Sequence, residues 1–479
     1  MTSLLSGSFY YSLSNLIPQS LAFLILPLYS KYMSVSDYGI ISAMETLSIV
    51  LSAFICLSID KAGHRLYFDQ KNEDERKRFL STLYITSILI TSVIFAALVF
   101  ARPFIQLLFE NIAFYPFFII AILNVGLNTF SLIPAIFYQV SEQPIKYMYL
   151  KISRFVLQIL LIFYLVVFEK MGALGHLIAE SICLLIFLPI YISICFKNFG
   201  FTFDYKYLKG VFNFAIPTIP TLLIAWILTL SDRVFIERIL DLTELGSYSM
   251  SYRISMIYIL FTGSFMFAYT PFFYKTASNS NIGETNAMLE KMTLYITCSF
   301  LFLYFIISLY IKELVDLMID DSYSNIHGII RILIAGHCIS AIMSVSSGLS
   351  LLKSKRTNII FFVSLIAALS NIWLNFYVIE LFGIRGAAYS SIIAISILFA
   401  LQFYFARKGY FIELPLKLIL TIFLCISLIT TVFHFYLEAF YLLSVVFKLI
   451  LCITLSYLIY KFYYPDIVDV FSNNEYGKS

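Results

Sequence analysis

Apolar runs of around 20 residues recur along the whole of this 479-residue sequence, separated by short connectors that carry most of its charge. A run of that length crosses a hydrocarbon core of ~30 Å as an α-helix. Inside hydrocarbon every backbone N–H and C=O needs a partner within the protein, so only helices and closed barrels can span it. The runs are too long for barrel strands and lack strict alternation. An all-α polytopic membrane protein is therefore expected. Composition agrees, with 61% hydrophobic and only 13% charged residues and a mean hydropathy of +0.90. A soluble domain exposes far more charge than that.

Fourteen spans are expected, near 9–30, 38–60, 79–101, 116–139, 147–168, 172–196, 211–236, 246–273, 291–312, 329–352, 358–380, 384–405, 415–437 and 439–462. Lys and Arg alternate between the connectors with a bias of about three to one, which predicts cytoplasmic N- and C-termini. The basic side includes Lys61, Arg65, Arg76, Lys77 and Arg78, then Lys353, Lys355 and Arg356. The N-terminus has neither a basic n-region nor a small-residue cleavage site, so its first apolar segment reads as a retained span. No connector is long enough for a soluble domain. The longest, 60–78, reads as a polar surface connector with the charge run KNEDERKR.

A net charge of +4 implies no nucleic-acid partner. Seven Cys lie in or beside apolar spans without CxxC spacing, as small buried hydrophobes do. No His or carboxylate spacing suggests a metal, and no GxxxxGK[ST] motif suggests ATP hydrolysis. No cofactor is expected. Short connectors without a cluster of catalytic polar residues point to a transporter and away from an enzyme.

The sequence also repeats. EKMGALGHLIAES from Glu169 recurs as ELFGIRGAAYSSI from Glu380, about 211 residues later. Leu83-Tyr84 answers to Leu294-Tyr295, and SDYG ending at Gly39 answers to TELG ending at Gly246 at a slightly shorter offset. Each copy has an even number of spans, so both enter from one side as parallel repeats, an arrangement typical of transporters. The expected organisation is a six-helix lobe at 1–205, a second at 206–410, and a further helix pair with a tail at 411–479.

Ionisable groups within spans are functional candidates by default, because an unpaired charge at membrane depth is costly. Span 7 carries Pro217 and Pro220 near its start and Asp232-Arg233, then Glu237-Arg238, near its end. Span 1 carries Pro18 and Pro27, with Lys31 at its end. Proline removes a backbone donor and bends a helix, which makes Pro18, Pro217 and Pro220 hinge candidates. Arg253 lies about two turns inside span 8. Guanidinium groups suit phosphate. Glu45 and Glu180 are deep enough to be ion or proton sites, and a protonated Glu bonding a neighbouring helix is the alternative. Arg154, Gln158 and Lys448 are further intramembrane polar residues, and His176 and His337 read as hydrogen-bonded packing residues.

The proline-bearing first helix leading to SVSDYGIISA after Met33, its counterpart SDRVFIERILDLTELGSYSMSYR from Ser231, the GxxG starts of spans 6 and 12 and the 14-span plan carry a resemblance. The chain resembles the polysaccharide-transporter branch of the multidrug/oligosaccharidyl-lipid/polysaccharide exporter superfamily, specifically the O-antigen (Wzx-type) flippases, over essentially its whole length. The resemblance implies an alternating-access flippase in the bacterial cytoplasmic (inner) membrane. Its substrate would be an undecaprenyl-pyrophosphate-linked oligosaccharide. It also implies pyrophosphate binding by Arg233, Lys31 and Arg253, with Asp232 and Arg238 beside them. Coupling to H+ or Na+ is implied for some relatives, with Glu45, Glu180 and Asp232 as candidates here. Membrane lipid, a polysaccharide polymerase and a chain-length regulator are the implied partners. A cation-coupled drug exporter and a peptidoglycan-precursor flippase share the fold and stay open. A membrane polymerase or ligase fits less well, since its large external loop has no counterpart.

Overall fold

The computed structural model describes residues 10, 11, 13, 14, 17, 18, 23–100, 102–106, 108–277, 282–323, 326–408 and 412–436. Among them, 12 helices are long and apolar enough to cross a membrane. They are Val35–Ile55, Glu73–Phe100, Phe114–Val140, Pro144–Phe168, Gly172–Asn198, Lys206–Ile239, Leu242–Ala277, Asn286–Met318, Ile326–Lys353, Thr357–Phe382, Ile384–Ala406 and Leu416–Phe433. These are spans 2 to 13 in order, and the described residues contain no strand. Span 1 is described in part, ending in the helix Leu26–Tyr32. The expected span 14, with Lys448 and Cys452, lies outside the described residues. The chain is an all-α, multi-pass membrane protein.

Local signals set the helix starts. Span 2 opens on a capping box, in which Asp37 N–H donates to Ser34 Oγ (3.1 Å) and Ser34 N–H donates to Asp37 Oδ2 (3.2 Å). Asp37 works twice, since its Oδ1 also accepts from Ala173 N–H (3.1 Å) in the first turn of span 6. Gly172 lies against that carboxylate with φ +53°, where a Cβ would sit 2.7 Å from Asp37 Oδ1. The charge run is largely exposed, as a surface connector should be, and most of it is helical. Span 3 begins at Glu73, capped by Asn72 Oδ1 on Glu75 N–H (2.8 Å), with Lys77 and Glu73 paired at 3.0 Å. Before it, the short helix Ile59–Leu66 buries Ile59 and Ala62 against Phe79, Leu83, Tyr84, Ile136 and Val211. Span 7 breaks at its prolines, with a 3-10 turn at Ile216–Thr218 between the helices Lys206–Ala215 and Ile219–Ile239.

Contacts gather the chain into two units. The first holds Met1–Met250, Met318–Ile326 and Ala368–Ala387. Span 7 and the start of span 8 thus pack with the first six spans, whereas the division expected from the repeat was 1–205 and 206–410. The second unit holds Ser251–Leu317, His327–Ala367 and Ala388–Ser479. Hydrogen bonds between its helices run from Tyr258 Oη to Phe300 O (2.9 Å), between Tyr269 and Thr293 (2.7 Å), and between Tyr304 and Ser427 (2.9 Å).

Within the first unit the repeat takes physical form where spans 2 and 8 begin. A Cβ on Gly39 would fall on the carbonyl oxygen of Leu242, and a Cβ on Gly246 on that of Val35. Val35 precedes Gly39 by the same interval that separates Leu242 from Gly246, so the contact is reciprocal. One turn further on, Ser249 Oγ donates to Ser42 Oγ at 2.6 Å. Ser42 and Ser249 are again equivalent in the two copies. Small residues let the two backbones touch, as helices packed in lipid require.

Candidate functional site

Arg233 and Asp232 sit on span 7 beside this seam and are almost fully enclosed, with 6% and 3% of their surface exposed. Arg233 Nε donates to Ser42 Oγ (3.2 Å), and its Nη1 donates to Thr229 O (3.0 Å) and to Asp232 Oδ1 (3.1 Å). Asp232 Oδ1 also accepts from Arg233 N–H (2.9 Å), and Tyr248 Oη donates to Asp232 Oδ2. Ser231 Oγ donates to Asn371 Oδ1 (3.3 Å), as does Asn375 Nδ2 (3.2 Å), which ties span 7 to span 11. Trp226 Nε1 donates to Thr46 O (3.0 Å) two turns earlier. A desolvated guanidinium is tolerable only with its charge matched and its donors used, and here Asp232 supplies the charge. In this conformation the pair joins spans 2, 7 and 8.

The other expected site residues are distributed. Arg238 is exposed and pairs with Glu110, while Glu237 is fully buried and accepts from Asn111 N–H (2.7 Å) and Glu110 N–H (3.3 Å). The end of span 7 thereby anchors the loop before span 4. Lys31 is exposed, 5.7 Å from the ring centre of Tyr32 and close enough to Asp320 to attract it. Asp320 lies in the loop after span 9. Its carboxyl titrates below the usual range because Ser322 N–H donates to it (3.0 Å), with Lys31 adding to the effect. Arg253 belongs to the second unit and is half-buried. Pro18 is helical and half-buried.

Glu180 is half-buried in a second polar cluster within the first unit. Asn124 Nδ2 donates to Glu180 Oε2 (3.2 Å) and to Leu177 O (3.0 Å), and Ser181 Oγ donates to Asn124 Oδ1 (2.6 Å). Glu45 on span 2 is exposed and lies near enough to repel Glu180. Arg154 Nη1 donates to Asn128 Oδ1 at 2.8 Å. A cavity of about 320 Å³ opens beside it, lined in part by Ser14 and Pro18 of span 1, by Lys151, Arg154 and Gln158 of span 5, and by Tyr191 of span 6. His176 bonds Tyr29 Oη through Nδ1 (2.8 Å), and His337 bonds Ser255 Oγ through Nε2 (3.0 Å), both as packing residues. No cluster of His, Cys and carboxylates among the described residues suits a metal ion.

Sequence reasoning missed Ser42, Ser249, Tyr248 and the two buried asparagines, Asn371 and Asn375. Aligning SDYG on TELG would have paired the two serines, three residues after each glycine. Nothing in the sequence marks Asn371 as a partner of Ser231.

The family model described as "Polysaccharide biosynthesis protein" matches residues 4–277, more than half of the chain. Among curated proteins nothing matches. Among solved structures, one titled as lipid II flippase MurJ in an inward closed conformation aligns with a TM-score of 0.72 at 18% identity. That alignment covers 94% of this chain and 98% of that one. An inward-facing multidrug resistance MATE family transporter of the MOP superfamily aligns with a TM-score of 0.61 at 14% identity, covering 81% and 94%. The Vibrio cholerae MATE transporter VcmN, as a mutant, aligns at 0.52 and 12% identity, covering 85% and 96%. These likenesses establish a MurJ/MATE-like fold.

Proposed function

The chain belongs to the polysaccharide biosynthesis protein family, and from that premise we propose that it is a flippase. Its substrate in this reading is an undecaprenyl-pyrophosphate-linked oligosaccharide, the repeat unit of an O-antigen or similar surface polysaccharide. The observation that carries the reading is the union of that family with a fold whose solved relative is titled a lipid II flippase. The physical logic is simple. Sugars and pyrophosphate cannot cross hydrocarbon unaided, whereas a polyprenyl tail stays in lipid throughout.

In this reading the lobes at 1–205 and 206–410 alternate access, with 411–479 as an accessory pair. Pro18, Pro217 and Pro220 are the bending points. Arg233, Arg253, Lys31, Asp232 and Arg238 serve the pyrophosphate when the path is open, and Glu45 and Glu180 serve a coupling H+ or Na+. The protein works in the bacterial cytoplasmic membrane with both termini inside, delivering its cargo to a polymerase and chain-length regulator. Arg233 is held by Ser42 and Asp232 in the conformation described, so its ligand role belongs to a state in which the seam has parted.

The test is a leaflet-transfer assay. Purified protein is placed in vesicles carrying a fluorescent polyprenyl-pyrophosphate-linked oligosaccharide, and an impermeant quencher reports the outer pool. The protein should make nearly all of the label accessible, against about half in protein-free vesicles. No gain over protein-free vesicles, alongside export of cationic dyes, would transfer the assignment to the drug-exporter reading.

A further inference from the structure

The ends of spans 10 and 12 in the second unit carry a dense group of positive charge that the proposed site residues leave unused. Span 10 closes on a Schellman turn, in which Arg356 N–H donates to Leu351 O (3.1 Å) and Lys355 N–H to Leu352 O (3.0 Å). Lys355 takes the left-handed position of that turn (φ +55°), which glycine usually fills. The turn gathers Lys353, Lys355 and Arg356 within four residues. Arg356 Nη2 then donates to Lys408 O (2.8 Å), which fixes the turn beside the end of span 12. The Lys408 ammonium stands 4.3 Å from the ring centre of Tyr404, one turn earlier.

Among the described residues no carboxylate pairs with Lys353, Lys355, Arg356 or Lys408. Between Asp321 and Glu413 the sequence holds one acid, Glu380, and it lies at the far end of the helix Thr357–Phe382. Glu413 itself lies against Glu290, to whose Oε1 its N–H donates (3.3 Å). Apolar surface begins directly beside the cations, where Leu352 and Tyr404 are 45% and 54% exposed. Exposed Tyr at a span end sits at headgroup level, and Lys and Arg there reach up to the polar layer. Cations over an exposed apolar surface match the order of groups in a phospholipid, phosphate first and acyl chains beneath. This is also the side for which the bias of basic residues predicts the cytoplasm, whose leaflet carries anionic lipid.

We propose that the ends of spans 10 and 12 form a binding site for the headgroup of an anionic phospholipid. Lys353, Lys355, Arg356 and Lys408 hold the phosphate, and Leu352 and Tyr404 take the acyl chains. The bound lipid offsets the repulsion among the four cations and ties the ends of the two spans together. The inference goes beyond the flippase reading and does not depend on it.

Native mass spectrometry of the full-length protein in detergent, titrated with phosphatidylglycerol or phosphatidylcholine, counts the lipid bound. Phosphatidylglycerol should bind more tightly and raise the melting temperature. Lys355→Gln combined with Lys408→Gln should weaken its binding about fivefold for each cation removed. Both side chains are exposed, so the variant keeps the fold, which unchanged melting without lipid verifies. Should the double variant melt lower, either single variant, weakened about fivefold, gives the same answer. As a control, Arg65→Gln with Lys77→Gln removes two cations from the connector before span 3 and should leave the affinity at the wild-type value. Equal weakening by the two double variants would mean diffuse attraction to any basic surface and overturns the proposal, as does equal affinity for the two lipids. Displacement of the lipid by an equal concentration of glycerol phosphate would make a soluble phosphate the occupant and overturns it too. Leaflet transfer is measured apart from this, so failure of the lipid site leaves the flippase reading untouched.

Discussion

Two regions of the first unit each embed an arginine in an apolar helix, and they use it differently. At the seam of spans 2, 7 and 8, Arg233 is enclosed and its charge is matched by the adjacent Asp232. At the cavity of spans 1, 4, 5 and 6, Arg154 is half-buried, borders open space beside Lys151 and is attracted by Glu180 of span 6. The difference teaches that an intramembrane charge does not by itself mark a ligand site. What separates the two is enclosure. Where the group is closed off, as at Arg233, the ion pair holds helices together; where it borders open space, as at Arg154, it is held by Asn128 and attracted by Glu180.

The most direct way to break the contrast is to force the seam apart. Gly246→Val puts side-chain carbon on the carbonyl of Val35, a backbone atom that cannot rotate away. Overpacking of this kind costs about 1–3 kcal/mol, which shifts a two-state equilibrium by roughly 5- to 150-fold. A cysteine replacing buried Ser42 reports the change through its rate of reaction with a water-soluble maleimide. That rate should rise at least about fivefold when Gly246→Val is added. An unchanged rate would mean that the seam absorbs the bulk without opening.

Removing one member of the buried ion pair should cost the most stability. Asp232→Ala strands the Arg233 charge, and breaking such a pair costs about 3–5 kcal/mol of stability, read as a large fall in melting temperature in detergent. The double variant with Arg233→Met removes the stranded charge and should recover most of that loss. Transport then decides what the arginine is for. Recovered stability with transfer still absent would make Arg233 a ligand group in another state; recovery of both would make it a brace alone.

Much of this architecture was legible before any coordinates. Spans 2 to 13 fall where apolar length and the alternation of basic connectors put them, because in a membrane those two constraints act on nearly every residue. The GxxG starts were legible as a repeat but not as a cause. Gly172 and Gly383 both need positive φ, at +53° and +59°, yet only Gly172 lies against a carboxylate. The charge run from Lys71 is solvated as expected, but that span 3 already starts at Glu73 was not legible, although Glu73 and Lys77 are spaced to pair along a helix. The site was least legible of all. Pairing of Arg233 with Ser42 joins residues 191 positions apart, and no periodicity encodes which helix faces which.

The smallest effect is the one that discriminates most finely. Ser42 and Ser249 are equivalent in the repeat and bond each other, so symmetry alone predicts that replacing either by alanine costs the same. The network breaks that symmetry. Ser249 Oγ donates its hydrogen to Ser42 Oγ, and Ser42 Oγ accepts from Arg233 Nε as well. Ser249→Ala therefore removes one hydroxyl bond, worth about 0.6 kcal/mol between membrane helices. Ser42→Ala removes that bond and an acceptor for a buried guanidinium, and bonds to charged groups are worth about 1.5–3 kcal/mol. Melting temperatures of the two single variants should differ in that order. In the Arg233→Met background the gap should close, because only the charged donor distinguishes one serine from the other. Equal losses in the wild-type background would show that Arg233 does not lean on span 2, and the contrast between seam and cavity would lose its basis.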